Sequence, residues 1–249
     1  MRTRAAVLLA LLVLAGAAKA EMPQQCLVAR HLLEDGNRLP KVAAAIAARH
    51  LNVLVLGAGS SSLPGSGGAA MAYPARLKDA LQTALPGVTV TLATDVTARR
   101  SAVEMADALA GDLKRAKPDL IVWQTGTVDA MQGADPDLFN QALDRGIATA
   151  KAHGADVILV NAQYSPRTES MIALGTYAEI LRWVAVQHEV PMLDRFAVMK
   201  LWSDLGTFDL YSPTKALDTA GQVHNCIGQL LSVLIVDAAK PESPPQGGQ

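Results

Sequence analysis

A hydroxyl that attacks a carbonyl needs a group to take its proton and donors to hold the charge that develops on oxygen. The stretch GAGSSSLPGSGG, residues 57–68, supplies the hydroxyls: Ser60, Ser61 and Ser62 stand between glycines, directly after the apolar run NVLVLG. Side chains that can donate to an oxyanion or to a sugar hydroxyl sit at the ends of later apolar runs, as Gln124, Asn161 and Gln163. Carboxylates follow at Asp129 and Asp218, and His224 is the histidine nearest to Asp218. Each of these residues also has an ordinary role. A Ser/Gly stretch is a common loop, and Asp129 suits a turn. Asp218 suits a helix N-cap, and His224 suits a packed helix face. Six residues of a regular helix advance about 600°, so Asp218 and His224 do not face one site from a single helix.

The same glycine-rich loop resembles a phosphate cradle, Gly57-x-Gly59-x-x-Ser62. It lacks the third glycine, and no acidic residue follows at the end of the second strand to hold a ribose. Nucleotide binding is therefore the weakest of three readings. The formal net charge is −1 and no long basic run occurs. That excludes a field for nucleic acid, whose phosphates need clustered Lys and Arg. Nothing in the sequence points to a metal or an organic cofactor. The five histidines and two cysteines form no ligand cluster.

The elements that must position these groups alternate along the chain. Apolar, β-branched runs predict strands at Asn52–Gly57, Val88–Ala93, Asp119–Thr125, Asp156–Ala162 and Val190–Leu193. Helical spacing predicts helices at Leu39–His50, Pro74–Leu85, Ala102–Lys117, Pro136–His153, Glu169–His188 and Leu217–Ala239. Continuously apolar strands alternating with helices give an α/β fold, a parallel sheet covered on both faces. Ligands of such sheets bind at the carboxyl ends of the strands. The loops after Gly57, Ala93, Thr125 and Ala162 are the places where chemistry would sit.

The start, MRTRAAVLLALLVLAGAAKAE, has a basic head, an apolar stretch and a small-x-small end at Ala18-Lys19-Ala20. That is the pattern of a secretory signal peptide over residues 1–20, with a single domain over 21–240 and a Pro- and Gly-rich disordered tail over 241–249. Nothing later is long and apolar enough to span a bilayer. The expected destination is the periplasm or the exterior. Two cysteines in an exported chain suggest a disulfide, Cys26–Cys226.

Several stretches, in order, resemble the SGNH (GDSL) hydrolase family. They are VLGAGSSSL, Pro74-Ala75-Arg76-Leu77, LPGVTV, KPDLIVWQTGT, Asn161-Ala162-Gln163-Tyr164-Ser165-Pro166-Arg167, VPMLDRFAVMKLW and CIGQLLSVLI. The resemblance runs from Asn52 to Ile235 and implies a three-layer α/β/α sandwich with a mostly parallel five-stranded sheet. It implies Ser61 as nucleophile, with Gly126 and Asp129 matching the family's third block. The implied ligand is a small-molecule or carbohydrate ester.

The chain also departs from that family. Val128 stands where the family has an asparagine, and a valine cannot donate a hydrogen bond. The loop ATDVTARR, residues 93–100, has no oxyanion glycine; Arg99 or Arg100 could bring positive charge there. Lys215 and Asp218 fall where the family has its aspartate and histidine. Two main readings follow. One is an exported serine esterase or carbohydrate O-deacylase with a rebuilt site, using Ser61, Asp218 and His224, with Gly126, Gln124, Asp129, Asn161 and Gln163 around the substrate. The other is a non-catalytic binder of a glycan, an acyl chain or an envelope partner, a hydrolase scaffold without hydrolysis.

Overall fold

The computed structural model describes residues 22–33, 36–211 and 217–241. The segment expected as a signal peptide, Lys215 and nearly all of the segment expected as a tail lie outside the described residues. Five strands form one sheet: β1 (His50–Gly57), β2 (Thr89–Val96), β3 (Leu120–Gln124), β4 (Asp156–Val160) and β5 (Met192–Leu193). Their order is β2-β1-β3-β4-β5, and every pairing is parallel. The helices are α1 (Pro40–Ala47), α2 (Gly68–Met71), α3 (Tyr73–Ala84), α4 (Ala102–Ala116), α5 (Thr127–Gln132), α6 (Pro136–Ala152), α7 (Pro166–Glu169), α8 (Leu174–His188), α9 (Arg195–Asp204) and α10 (Leu217–Ala238). They cover both sides of the sheet, giving the expected three-layer sandwich.

The strand order reverses direction at β1, with β2 on one side and β3 on the other. Loops leaving adjacent strands in opposite directions open a crevice at that point. It is the loop after β1 that carries the three serines.

β3, LIVWQ, is buried along its whole length, as a central strand covered twice should be. β2 differs from expectation. It is an edge strand in which Val90 alone is buried, so Thr89, Thr91 and Ala93 face solvent. α6 crosses directly over Trp123 of β3. A Cβ at Gly146 would lie 2.3 Å from the Trp123 ring, so the helix can approach only because that position is bare.

Three helices were not foreseen, the short α2 in the loop after β1 among them. α5 starts behind Gly126, which sits at φ +94°. α9 starts at Asp194, whose side chain accepts from the Ala197 N–H and caps the first turn. The helix expected over Glu169–His188 begins only at Leu174, as α8, and the separate short α7 ends at Glu169. α10 packs along α3, and Cys226 on it is bonded to Cys26, both fully buried.

Candidate active site

β1 ends at Gly57, and the chain turns at once through a short 3-10 helix, Gly59–Ser61. This turn folds Ser61 back over the end of its own strand. A Cβ at Gly57 would stand 2.0 Å from the Ser61 Oγ, so the glycine is what leaves room for that hydroxyl.

Ser61 is 1% exposed, and its Oγ–H donates to Gln124 Oε1 at 2.8 Å. Gln124 is the last residue of β3, adjacent to β1 in the sheet, so the crevice at the strand-order reversal brings the two together. The other end of the same amide, Nε2, donates to Ser60 Oγ at 2.5 Å. Tyr73, at the start of α3, donates its OH to Ser61 Oγ at 3.4 Å. Burial pushes the Tyr73 phenol up to about 12, with the Ser61 hydrogen bond and Arg195 opposing, so Tyr73 stays neutral near pH 7.

A cleft of about 350 Å³ opens above this turn. Ser60 and Ser62 line it, whereas Ser61 is tucked beneath. Further walls come from Gln163 and Tyr164 after β4, Arg195 and Met199 on α9, Asp209, and Thr219, Val223 and His224 on α10.

Arg195 is the residue that sequence reasoning missed. The residue is 1% exposed. Nη1 donates to the Ser60 carbonyl and to Gln124 Oε1, both at 2.9 Å, and Nη2 donates to Gln163 Oε1 at 3.4 Å. It lies 5.9 Å from the centre of the Tyr73 ring. Burial draws its pKa down to about 10, Tyr73 opposing, so it keeps its charge at neutral pH. The signal was only its place after Asp194, the cap of α9. Burial of an arginine is set by tertiary packing, which a local pattern does not show.

His224 reaches the cleft wall, yet its lone pair is taken. The Tyr73 backbone N–H donates to Nδ1 at 2.9 Å, which puts the proton of the neutral ring on Nε2. Burial pushes His224 down to about 3, and the Arg195 charge adds to the effect. In this arrangement the ring is a donor toward the cleft rather than a base.

The remaining expected residues divide. Gln124 and Gln163 join Ser60, Ser61 and Arg195 in one network. Gly126 and Asp129 serve the turn after β3. Asp129 Oδ2 accepts from the Gly126 N–H and the Thr125 hydroxyl, and its Oδ1 accepts from the Ala102 N–H at the start of α4. Asn161 clasps the start of α9, donating to Asp194 and accepting from the Phe196 N–H. Asp218 is exposed on the first turn of α10, outside the cleft lining. Val128 packs against the core, and Arg100 pairs with Asp95. Among the described residues no group of His, Cys, Asp and Glu is placed to hold a metal.

The comparisons with known proteins agree with this geometry. Among solved structures, TesA superposes with a TM-score of 0.56 at 20% identity, covering 73% of this chain and 99% of its own. A catalytic mutant of Axe2, an acetylxylan esterase from Geobacillus stearothermophilus, gives 0.59 at 16% identity, covering 74% and 94%. A lipase/acylhydrolase from Enterococcus faecalis gives 0.58 at 18% identity, covering 78% and 100%. At such identities these likenesses establish the SGNH-type hydrolase fold. No curated protein matches the sequence. The Non-GDSL lipase-like family matches residues 25–241, nearly the whole described chain, and the protein belongs to that family.

Proposed function

We propose that the protein is an exported serine ester hydrolase acting on a small-molecule or carbohydrate ester, with Ser61 as its nucleophile. One observation carries this reading: the Ser60–Ser61 turn ends β1 at the crevice, both hydroxyls gripped by the Gln124 amide below a cleft that can seat a small ligand. The acetylxylan esterase among the structural neighbours supports the substrate class, and the signal-like leader with the disulfide supports export. Attack requires a proton acceptor other than His224. Asp209 is the one carboxylate among the described cleft-lining residues, so it is the candidate, although it does not occupy either family position, Lys215 or Asp218.

A second reading, binding without turnover, is favoured by a different observation. Ser61 gives its proton to an amide oxygen, which is no base, and the His224 lone pair is occupied. The discriminating experiment is hydrolysis of short-chain nitrophenyl esters and acetylated sugars by the mature protein, beside Ser61→Ala, Ser60→Ala and Asp209→Asn. Turnover abolished by Ser61→Ala and by Asp209→Asn is the expected result. Loss in Ser60→Ala alone moves the nucleophile to the hydroxyl that faces the cleft. Absence of turnover in the wild-type protein across the whole set gives the binding reading.

A further inference from the structure

A guanidinium buried in a protein is costly unless a counter-charge or full hydrogen bonding compensates it. Arg195 has neither. No carboxylate stands within ion-pair distance of it among the described residues, and its acceptors are one carbonyl and two amide oxygens, all uncharged. Its Nε–H is buried with no acceptor, and Nη2 makes a single contact at 3.4 Å. Yet the side chain lines the cleft instead of being sealed in the core. On the same cleft, the ring of His224 carries its proton on Nε2, because Nδ1 accepts from Tyr73. Two donors, one of them charged, therefore border a space in which the one lining carboxylate among the described residues, Asp209, is exposed to solvent. The rest of the wall is mixed: Leu63, Tyr164, Met199, Leu210 and Val223 make its apolar part, and Ser60, Ser62, Ser165 and Thr219 add hydroxyls.

We infer that the cleft binds a monocarboxylate with an apolar body, its anionic group seated against Arg195 and His224. One fixed positive charge matches one negative charge; a dianion would leave a charge uncompensated in a poorly hydrated site. The apolar part of the lining, Leu63, Tyr164, Met199, Leu210 and Val223, takes the remainder of the ligand, and the size of the cleft suits a small molecule. If the protein is the hydrolase proposed above, its substrate is an ester that also bears a free carboxylate. The inference uses that same cleft but needs no turnover.

The test is a ligand-observed NMR titration of the mature protein with benzoate and with benzamide, which share a shape and differ in charge. Saturable benzoate binding, with benzamide weaker by about tenfold or more, is expected; tenfold corresponds to about 1.4 kcal/mol. Arg195→Met, which keeps most of the volume, is expected to remove the preference. Because a buried replacement can disturb folding, the wild-type pair of ligands decides on its own, and the titration is repeated on Ser61→Ala so that a failed nucleophile assignment is not confused with a failed anion site. Equal binding of benzoate and benzamide, no saturable benzoate binding, or an undiminished preference in folded Arg195→Met overturns the inference.

Discussion

At the scale of single residues, the site depends on what is missing as much as on what is present. Gly57 has no side chain, and the Ser61 Oγ occupies the place where one would be. Gly57→Ala forces the serine off Gln124. Because small displacements of a reacting group cost about 10²-fold, ester turnover in this variant should fall by roughly that factor, with the circular dichroism of the fold retained. His224 sets a pH dependence with a definite sign. Its folded value of about 3 lies below the ordinary histidine range, so between those limits the unfolded chain binds the extra proton. The stabilisation is complete above the unfolded value and is lost as pH falls toward 3. A loss on the order of 2–3 kcal/mol between pH 6.5 and 4 follows from linkage. Urea unfolding of His224→Gln, whose amide can still accept from Tyr73, should show a correspondingly flatter slope over that window. The candidate residues were legible unevenly. Ser61, Gln124 and Gln163 could be found because they stand at strand ends in an α/β pattern. Asp129 and Asn161 stand at such ends too, but their polar atoms are consumed by local backbone and cap contacts that spacing does not reveal.

Elements show a similar division. The long apolar runs and the long helices fell within a few residues of expectation, because both faces of the sheet are covered and the periodicities are strong. β2 was misread as covered twice, since VTVTLA has strand propensity whether central or at an edge, and only the topology places it outermost. α9 escaped because its opening Asp-Arg-Phe reads as part of a loop until Asp194 is seen to cap it. That helix matters, for it carries Arg195 to the cleft. The fit of α6 on β3 gives a prediction at this scale. Gly146→Val would drive two methyl groups into the Trp123 ring, and overpacking of a filled core costs about 1–3 kcal/mol. The midpoint of denaturant unfolding should drop accordingly, while the slope of the transition is unchanged.

For the molecule as a whole, the bond between Cys26 and Cys226 closes a loop of nearly the entire domain, the two residues being 200 apart in sequence. Cys26→Ser with Cys226→Ser should lower stability by about 2–5 kcal/mol, the range found for native bridges, as read by thermal unfolding with and without reductant. The same separation fixes an order of events. Cys26 is made 200 residues before Cys226, so its thiol must wait, unpaired, until α10 has been made. A chain that breaks off before α10 keeps that thiol free and able to join a foreign partner. Once α10 is in place both thiols are consumed in the bond, and no free cysteine is left among the described residues for exchange. The bridge thereby reports on one element: a chain lacking α10 is left with a reactive thiol, and a chain that has docked α10 is not.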